Sequence, residues 1–325
     1  MELIKETFWN TKKAKLEALI LVVAFVLMAI FVPNMSDSYL PLFIAWVMMY
    51  CILSMSWNFF SGKTGYISLA TAAFYGIGMY LQALLGRMLP LPVVMLIGAI
   101  VTFAIGFGIG VVTLKLRGIY FTIFTFGLAL FLNKFVHWYE SIFVRTKGRM
   151  VKPYGNDVIF YAVLAVLAIT IVAILLMNKS RFGLALNCIG QNEDSAQHVG
   201  VDTTLIKVLG FAFTAAPVGA VGVVMSSAIT YVDPDIAFRL LASFFPVLMA
   251  IFGGMKSTYG PLVGAAVFYI LQDYLLRTTG YYMIIFGAIM IAIVLLMPQG
   301  IFGLIAQAIA KHKRGYNGEV IGDVK

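Results

Sequence analysis

Charge is what this sequence has least of. Asp, Glu, Lys and Arg make up 11% of its 325 residues, against about a quarter in a soluble globular domain. So few charges, bunched between long apolar runs, cannot cover a water-facing surface. With 62% of the residues apolar, this excludes a soluble domain and indicates a chain whose outer solvent is lipid. Cysteine and histidine are scarce as well. Cys51 and Cys188 suggest neither a disulfide nor a metal framework. His137 and His198 stand singly, with no second ligand at metal spacing. No Asp, Glu, Lys, Arg or His occupies the centre of an apolar run, which counts against an ion-coupled carrier, because such carriers place ionisable groups in the membrane interior. The formal balance of +9 does not imply nucleic acid, since the bases flank the apolar runs and suit a juxtamembrane role.

The apolar runs themselves dominate the chain. A membrane helix needs roughly 20 apolar residues, each rising ~1.5 Å across a core of ~30 Å. That rule predicts an all-α polytopic protein of about ten spans, at 16–33, 39–60, 66–85, 91–114, 118–136, 158–177, 206–228, 239–253, 261–277 and 282–298. The run beginning near Leu16 has no small-residue cleavage site after it, so it reads as a retained first span rather than a secretory signal. Ten spans put both termini on one side. The side holding Lys12, Lys13, Lys63, Lys115, Lys179, Arg181 and Lys256 collects more Lys and Arg than the other, which marks it as cytoplasmic. The resulting segments are 1–15 inside, 16–304 in and around the membrane with an interior loop at 178–207, and 305–325 inside. The basic loop 134–152 falls outside on this count and runs against the rule.

Three stretches are more than lipid-facing sequence. From Trp57 to Ala70, Gly62, Lys63, Thr64, Gly65 and Ser68 interrupt a long apolar tract. From Phe252 to Gly264, the sequence combines Gly253, Gly254, Lys256, Ser257 and Gly260. Both predict interrupted helices, near 58–70 and 252–264. Backbone freed in this way survives at membrane depth only when it is buried in protein or lines a wet cavity. Matching breaks in two parts of a transporter point to its pathway, which makes Gly62, Thr64, Gly65, Ser68, Gly253, Gly254, Ser257 and Gly260 the candidate pathway residues. Gly62-Lys63-Thr64 is not a phosphate loop, because Trp57 stands where that motif needs a glycine. The third stretch, within 178–207, holds Glu193, Asp194, Ser195, Ala196 and Gly200. Residues 193–198 predict a short helix stopped by Gly200, a shape that can dock on a soluble partner. Gly106, Gly108 and Gly110 lie inside a span, where small residues serve close helix contact rather than a dinucleotide.

At these stretches the chain resembles the branched-chain amino acid permeases of ATP-binding-cassette importers, in particular the LivM-type half. The similarity is carried by Gly62 to Gly78, by Lys115-Leu116-Arg117-Gly118-Ile119-Tyr120-Phe121, and by Ser180 to Leu186 continuing through Asn192 to Gly200. It continues at Gly253-Gly254, Ser257, Gly260-Pro261 and Gly264-Ala265, and at Pro298 to Leu304. The resemblance implies an importer subunit that catalyses no covalent chemistry. Residues 193–200 would form the coupling helix that sits in a groove of an ATPase subunit, with Asp194 and Ser195 as mild departures from the family's Glu-Ala-Ala loop. Implied partners are a second, LivH-like permease, two ATP-binding subunits, a periplasmic or lipid-anchored solute-binding protein and membrane lipid. This chain would bind no cofactor or metal, and its ATPase partners would use ATP and Mg. The implied location is a bacterial or archaeal cytoplasmic membrane, and the leading solutes are leucine, isoleucine and valine. Other amino acids, urea or amides are alternatives, as are an ion-coupled carrier, a passive channel and a membrane scaffold.

Overall fold

The computed structural model describes residues 28–29, residues 39–278 apart from 117 and 146, and positions 281, 284, 285, 287, 288, 291 and 300. Its order is α1 (Tyr39–Trp57, prolonged by a π-helical turn Asn58–Gly62), α2 (Thr71–Leu85), α3 (Leu91–Thr113) and α4 (Ile119–Tyr139, prolonged by a π-helical turn Glu140–Val144). There follow β1 (Arg149–Met150), α5 (Asn156–Lys179), α6 (Arg181–Gln191), α7 (Glu193–His198), α8 (Thr203–Ile229), β2 (Tyr231–Val232), α9 (Pro234–Ala237), α10 (Leu241–Gly253) and α11 (Gly260–Thr278). The two strands pair antiparallel, Arg149 with Val232 and Met150 with Tyr231. The protein is thus all-α and polytopic.

Six helical stretches are long and apolar enough to cross a membrane: Tyr39–Gly62, Leu91–Thr113, Ile119–Phe143, Asn156–Lys179, Thr203–Ile229 and Pro234–Gly253. They answer to six of the expected spans. The spans expected at 16–33 and 282–298, with the segments 1–15 and 305–325, lie outside the described residues apart from isolated positions. The span expected at 66–85 is corrected. Its helix is only Thr71–Leu85, because residues 65–70 are not helical. The helix Gly260–Thr278 covers the span expected at 261–277 but is not among the six. One loop is corrected as well. Residues 134–144 of the basic loop are helical, so the loop starts at Arg145. The interior loop 178–207 is largely the helices α6 and α7.

Burial orders the helices from centre to periphery. In α8, 78% of the most apolar window is buried within the protein, against 28% in α3 and 22% in Ile119–Phe143. Outward-facing Leu96, Ile100, Ile123 and Phe131 are exposed, as lipid-facing side chains would be. A helix apolar all round needs small residues where it meets another helix, and α3 supplies them. Its buried face runs Leu91, Val94, Gly98, Thr102, Gly106, Gly110 and Thr113, a step of three or four residues that keeps one stripe on the partner. A Cβ on Gly98 would stand 2.7 Å from Val223 Cγ2, and one on Gly219 would run into the Thr102 side chain. Gly78 of α2 abuts the Gly219 carbonyl. Of the three glycines expected to serve helix contact, Gly106 and Gly110 do so, while Gly108 faces open space.

The helix connections collect at two ends. At one end lie Lys63, the C-terminus of α3, the helices α6 and α7, and residues 254–259. At the other, Glu140 is 2% exposed and accepts the Gly148 N–H at 3.0 Å, with Arg149 Nε 3.6 Å from its second oxygen. This carboxylate ties the basic loop to the end of α4. Asn133 donates to the Pro234 carbonyl at 2.9 Å, and Val151 N–H donates to the Thr230 carbonyl at 2.8 Å, so α9 and the β-ribbon close the same end.

Close packing around Gly219 leads to a direct expectation. Gly219→Val should lower the thermal midpoint in detergent by an amount corresponding to about 1–3 kcal/mol or more, the usual cost of overpacking. Gly108→Val, whose added methyls meet open space, should leave the midpoint unchanged. Equal midpoints for the two variants would refute the α3–α8 contact.

Candidate functional site

The first interruption satisfies most of its peptide groups with partners inside the protein. Helix α1 widens into a π-helical turn, and the chain then turns at Gly65 with φ +76°, a region that costs a side-chain-bearing residue but not glycine. Gly65 N–H donates to the Ser61 carbonyl at 3.0 Å. Thr64 Oγ1 donates to the Phe60 carbonyl at 2.8 Å and accepts Tyr66 N–H at 3.3 Å. Ser61 Oγ accepts Ser68 N–H, Thr125 Oγ1 accepts Leu69 N–H at 3.0 Å, and Ser68 Oγ accepts Ala70 N–H. Trp57 Nε1 donates to the Ser68 carbonyl at 2.7 Å. Thr122 Oγ1 donates to the Ile67 carbonyl at 2.8 Å. Ser243 Oγ from α10 donates to the Leu69 carbonyl at 2.7 Å and accepts Ala72 N–H at 3.0 Å.

The second interruption is built from glycines. Helix α10 ends at Gly253, and Gly254 has φ +102°. A Cβ on Gly253 would collide with the Gly260 carbonyl, and one on Gly264 with the Met249 carbonyl. Ser257 Oγ accepts the N–H groups of Tyr259 and Gly260, each at 3.3 Å, which satisfies donors at the start of α11.

The fold brings these two breaks together. Asn58 Nδ2 donates to the Met255 carbonyl at 3.2 Å. Lys63 Nζ donates to Asn178 Oδ1, and Asn178 Nδ2 donates to Thr258 Oγ1 at 3.2 Å. Between them opens a cavity of about 560 Å³, lined by Asn58, Gly62 and Lys63 from the first break and by Met255, Lys256, Ser257 and Thr258 from the second. Asn178, at the end of α5, and Asn187, Gly190 and Gln191 of α6 add further polar lining, and Met55, Phe59 and Ile174 give it an apolar side. The buried Asn58 Oδ1 has no hydrogen-bond partner. Lys63 lies one residue past the Tyr39–Gly62 span, and burial pushes its ammonium down to about 8.

Of the expected pathway residues, Gly62 and Ser257 line this cavity. Thr64, Gly65, Gly253, Gly254 and Gly260 shape the backbone beside it. Ser68 lies in a separate, nearly filled space with Trp57, Ser61, Thr71 and Phe211. Sequence reasoning missed Asn58, Asn178, Asn187 and Gln191. Asn58 and Asn178 carried a signal, an amide within or just past an apolar run, whereas Asn187 and Gln191 lie inside the polar stretch and carried none.

At the same end stands α7. Asn192 Oδ1 accepts Ser195 N–H at 2.9 Å and caps the helix. Gly200, with φ +89°, lets the chain turn so that Val201 N–H returns to the Ala196 carbonyl at 3.1 Å. Asp194, Ser195 and Gly200 are exposed, whereas Ala196 is buried beneath the helix and seats it. Val199, 85% exposed, adds an apolar tip that sequence reasoning had not singled out. Glu193 is turned inward toward Lys207. Among the described residues, no cluster of His, Cys, Asp and Glu could hold a metal ion.

The family model described as the branched-chain amino acid transport system / permease component matches residues 39–294. The high-affinity branched-chain amino acid transport system permease protein LivM of Salmonella typhimurium is 24% identical over 288 residues, covering 78% of this chain and 68% of that protein. LivM of Escherichia coli is also 24% identical, over 292 residues, with the same coverage. A probable branched-chain amino acid transport permease protein LivH of Methanocaldococcus jannaschii is 26% identical over 158 residues, covering 46% of this chain and 49% of that protein. No solved structure matches.

Ser243 tests the first interruption. It is fully buried and serves one donor and one acceptor there, so Ser243→Ala should cost about 1–3 kcal/mol for each peptide group left unsatisfied. Thr122→Ala, at an exposed bond, should cost less. Thermal midpoints in detergent compare them, and a Ser243→Ala midpoint at or above that of Thr122→Ala would contradict this account.

Proposed function

Because the chain belongs to the family of branched-chain amino acid transport system permease components, we propose that it is the membrane-spanning permease subunit of an ATP-driven importer of branched-chain amino acids. Transport is by alternating access, driven by ATP binding and hydrolysis at two separate ATP-binding subunits, which use Mg. The companion is a second, LivH-like permease, and a periplasmic or lipid-anchored binding protein delivers the solute. This chain binds no cofactor itself. It lies in a bacterial or archaeal cytoplasmic membrane with about ten spans and both termini inside.

The observation that carries this reading is the shared location of two features. The polar cavity between the two helix breaks opens at the end of the bundle that also presents α7. A solute leaving that cavity and a soluble engine docking on α7 would therefore meet the same compartment. The exposed Asp194, Ser195 and Val199 supply the docking surface, and the ribbon end with Arg145, Lys147, Arg149 and Lys152 faces the binding protein. The amides of Asn58, Asn178, Asn187 and Gln191 favour a second reading for the solute, a small amide or urea, within the same mechanism.

The test is uptake in liposomes holding this chain with its companion permease, ATPases and binding protein, with labelled leucine and labelled urea run in parallel. Leucine should enter only with ATP. Asp194→Lys combined with Val199→Asp, two changes at exposed positions, should abolish ATP-dependent uptake while leaving the permease folded. Uptake indifferent to ATP and to these changes would leave a channel or an ion-coupled carrier instead.

A further inference from the structure

Lys207 stands near the start of the central helix α8 and is 2% exposed. A lysine ammonium carries three protons and no acceptor, and here it faces three acceptors. Its Nζ donates to Glu193 Oε1 at 2.5 Å, to Tyr66 Oη at 3.3 Å and to the Leu114 carbonyl at 3.3 Å. The other carboxylate oxygen of Glu193 accepts the Tyr66 hydroxyl at 2.5 Å. The ammonium also lies 4.6 Å from the centre of the Tyr66 ring. Each partner comes from a different part of the fold: Glu193 opens α7, Tyr66 belongs to the first interruption, Leu114 follows α3, and Lys207 belongs to α8.

We propose that Lys207, Glu193 and Tyr66 form a positioning latch that makes the docking helix α7 and the interrupted segment 65–70 move as one body. The inference rests on the reading of α7 as the surface on which the ATPase docks. In a buried, low-dielectric setting each member is engaged, and separating any one of them strands a buried charge or hydroxyl. A displacement of α7 therefore pulls on Tyr66 rather than dissipating within the loop. From Tyr66 the contact continues edge-on to Phe121, 5.8 Å between ring centres, and from Phe121 to Phe60 and Phe211. Phe60 lies in the same π-helical turn as Asn58 and Gly62, which line the cavity. The latch thus joins the docking surface to the cavity through contiguous packed side chains. None of its three members lines the solute cavity, so its role is to position and not to bind.

The experiment uses the complete complex in liposomes and reads both ATP hydrolysis and solute uptake, so that solute moved per ATP can be compared. Two variants are made. Lys207→Met/Glu193→Gln removes both charges without stranding either, and Tyr66→Phe keeps the ring while removing the proton given to Glu193. Both should assemble with the ATPases and hydrolyse ATP, with the solute moved per ATP reduced at least about five-fold in the double variant, the scale of a typical coupling between sites, and less in Tyr66→Phe. A purely structural role would lower assembly or the thermal midpoint and leave the ratio alone. A ratio within about two-fold of the native complex in assembled double variant overturns the latch. If the double variant fails to assemble, Tyr66→Phe decides, and a native ratio there overturns it. If the native complex itself moves solute without ATP, the transport reading falls, and the latch with it.

Discussion

The peptide groups of residues 65–70 impose the constraint on which the rest of this structure depends. A stretch outside helix and sheet has no backbone ladder of its own, and inside a membrane protein water is not at hand to replace one. Buried backbone donors and acceptors are almost always paired, so the fold has to bring partners to this stretch. It does so with hydroxyls from three directions. Ser61 and Thr64 come from the end of α1, Thr122 and Thr125 from α4, and Ser243 from α10. Those bonds fix how α4 and α10 stand relative to α1, and therefore where the second interruption, which begins at the far end of α10, meets the first.

Around that centre the packing is set by small residues instead of by a hydrophobic drive between helices. Lipid is as apolar as a leucine side chain, so helices gain by approaching closely. Gly78, Gly98 and Gly219 let α2, α3 and α8 come within backbone contact. The result is a tightly joined core of α2, α3 and α8. The two interruptions sit beside it, and their polar cavity is held by hydrogen bonds through Asn58, Asn178 and Thr258.

A largely buried ion pair such as Lys207 with Glu193 is weak grounds for stability, because desolvating both charges offsets much of their attraction. Its value lies in geometry. Lys207 offers three donors to three acceptors drawn from separate segments, and that arrangement is satisfied in one relative placement of α7, α8, the end of α3 and the first interruption. The opposite end of the bundle uses a similar device. There the buried carboxylate of Glu140 holds the Gly148 N–H and faces Arg149, so one charge again fixes how neighbouring elements meet.

Much of the architecture was legible in one dimension. Apolar runs of about 20 residues mark spans because the thickness of the bilayer sets their length, and six of the expected spans stand in the structure. The polar run after Asn192, with Gly200 as its stop, framed a short helix because caps and left-handed turns are local chemistry, and α7 spans Glu193–His198. Gly65, Gly253 and Gly254 marked the breaks for the same local reason. What the sequence could not show is decided by contacts between distant residues. The run at 66–85 starts its helix only at Thr71, because Ser243 and Thr125, remote in the chain, supply hydrogen bonds to the residues before it. Lys207 reads as an ordinary juxtamembrane base until folding places it against Tyr66, 141 residues away. The sequence by itself determined most of the long apolar helices, the sites of their breaks and their membrane setting, since these follow from local propensity and hydropathy. Only the tertiary structure decided which polar groups face one another, because hydrogen-bond partners are chosen by position in space and not by position along the chain.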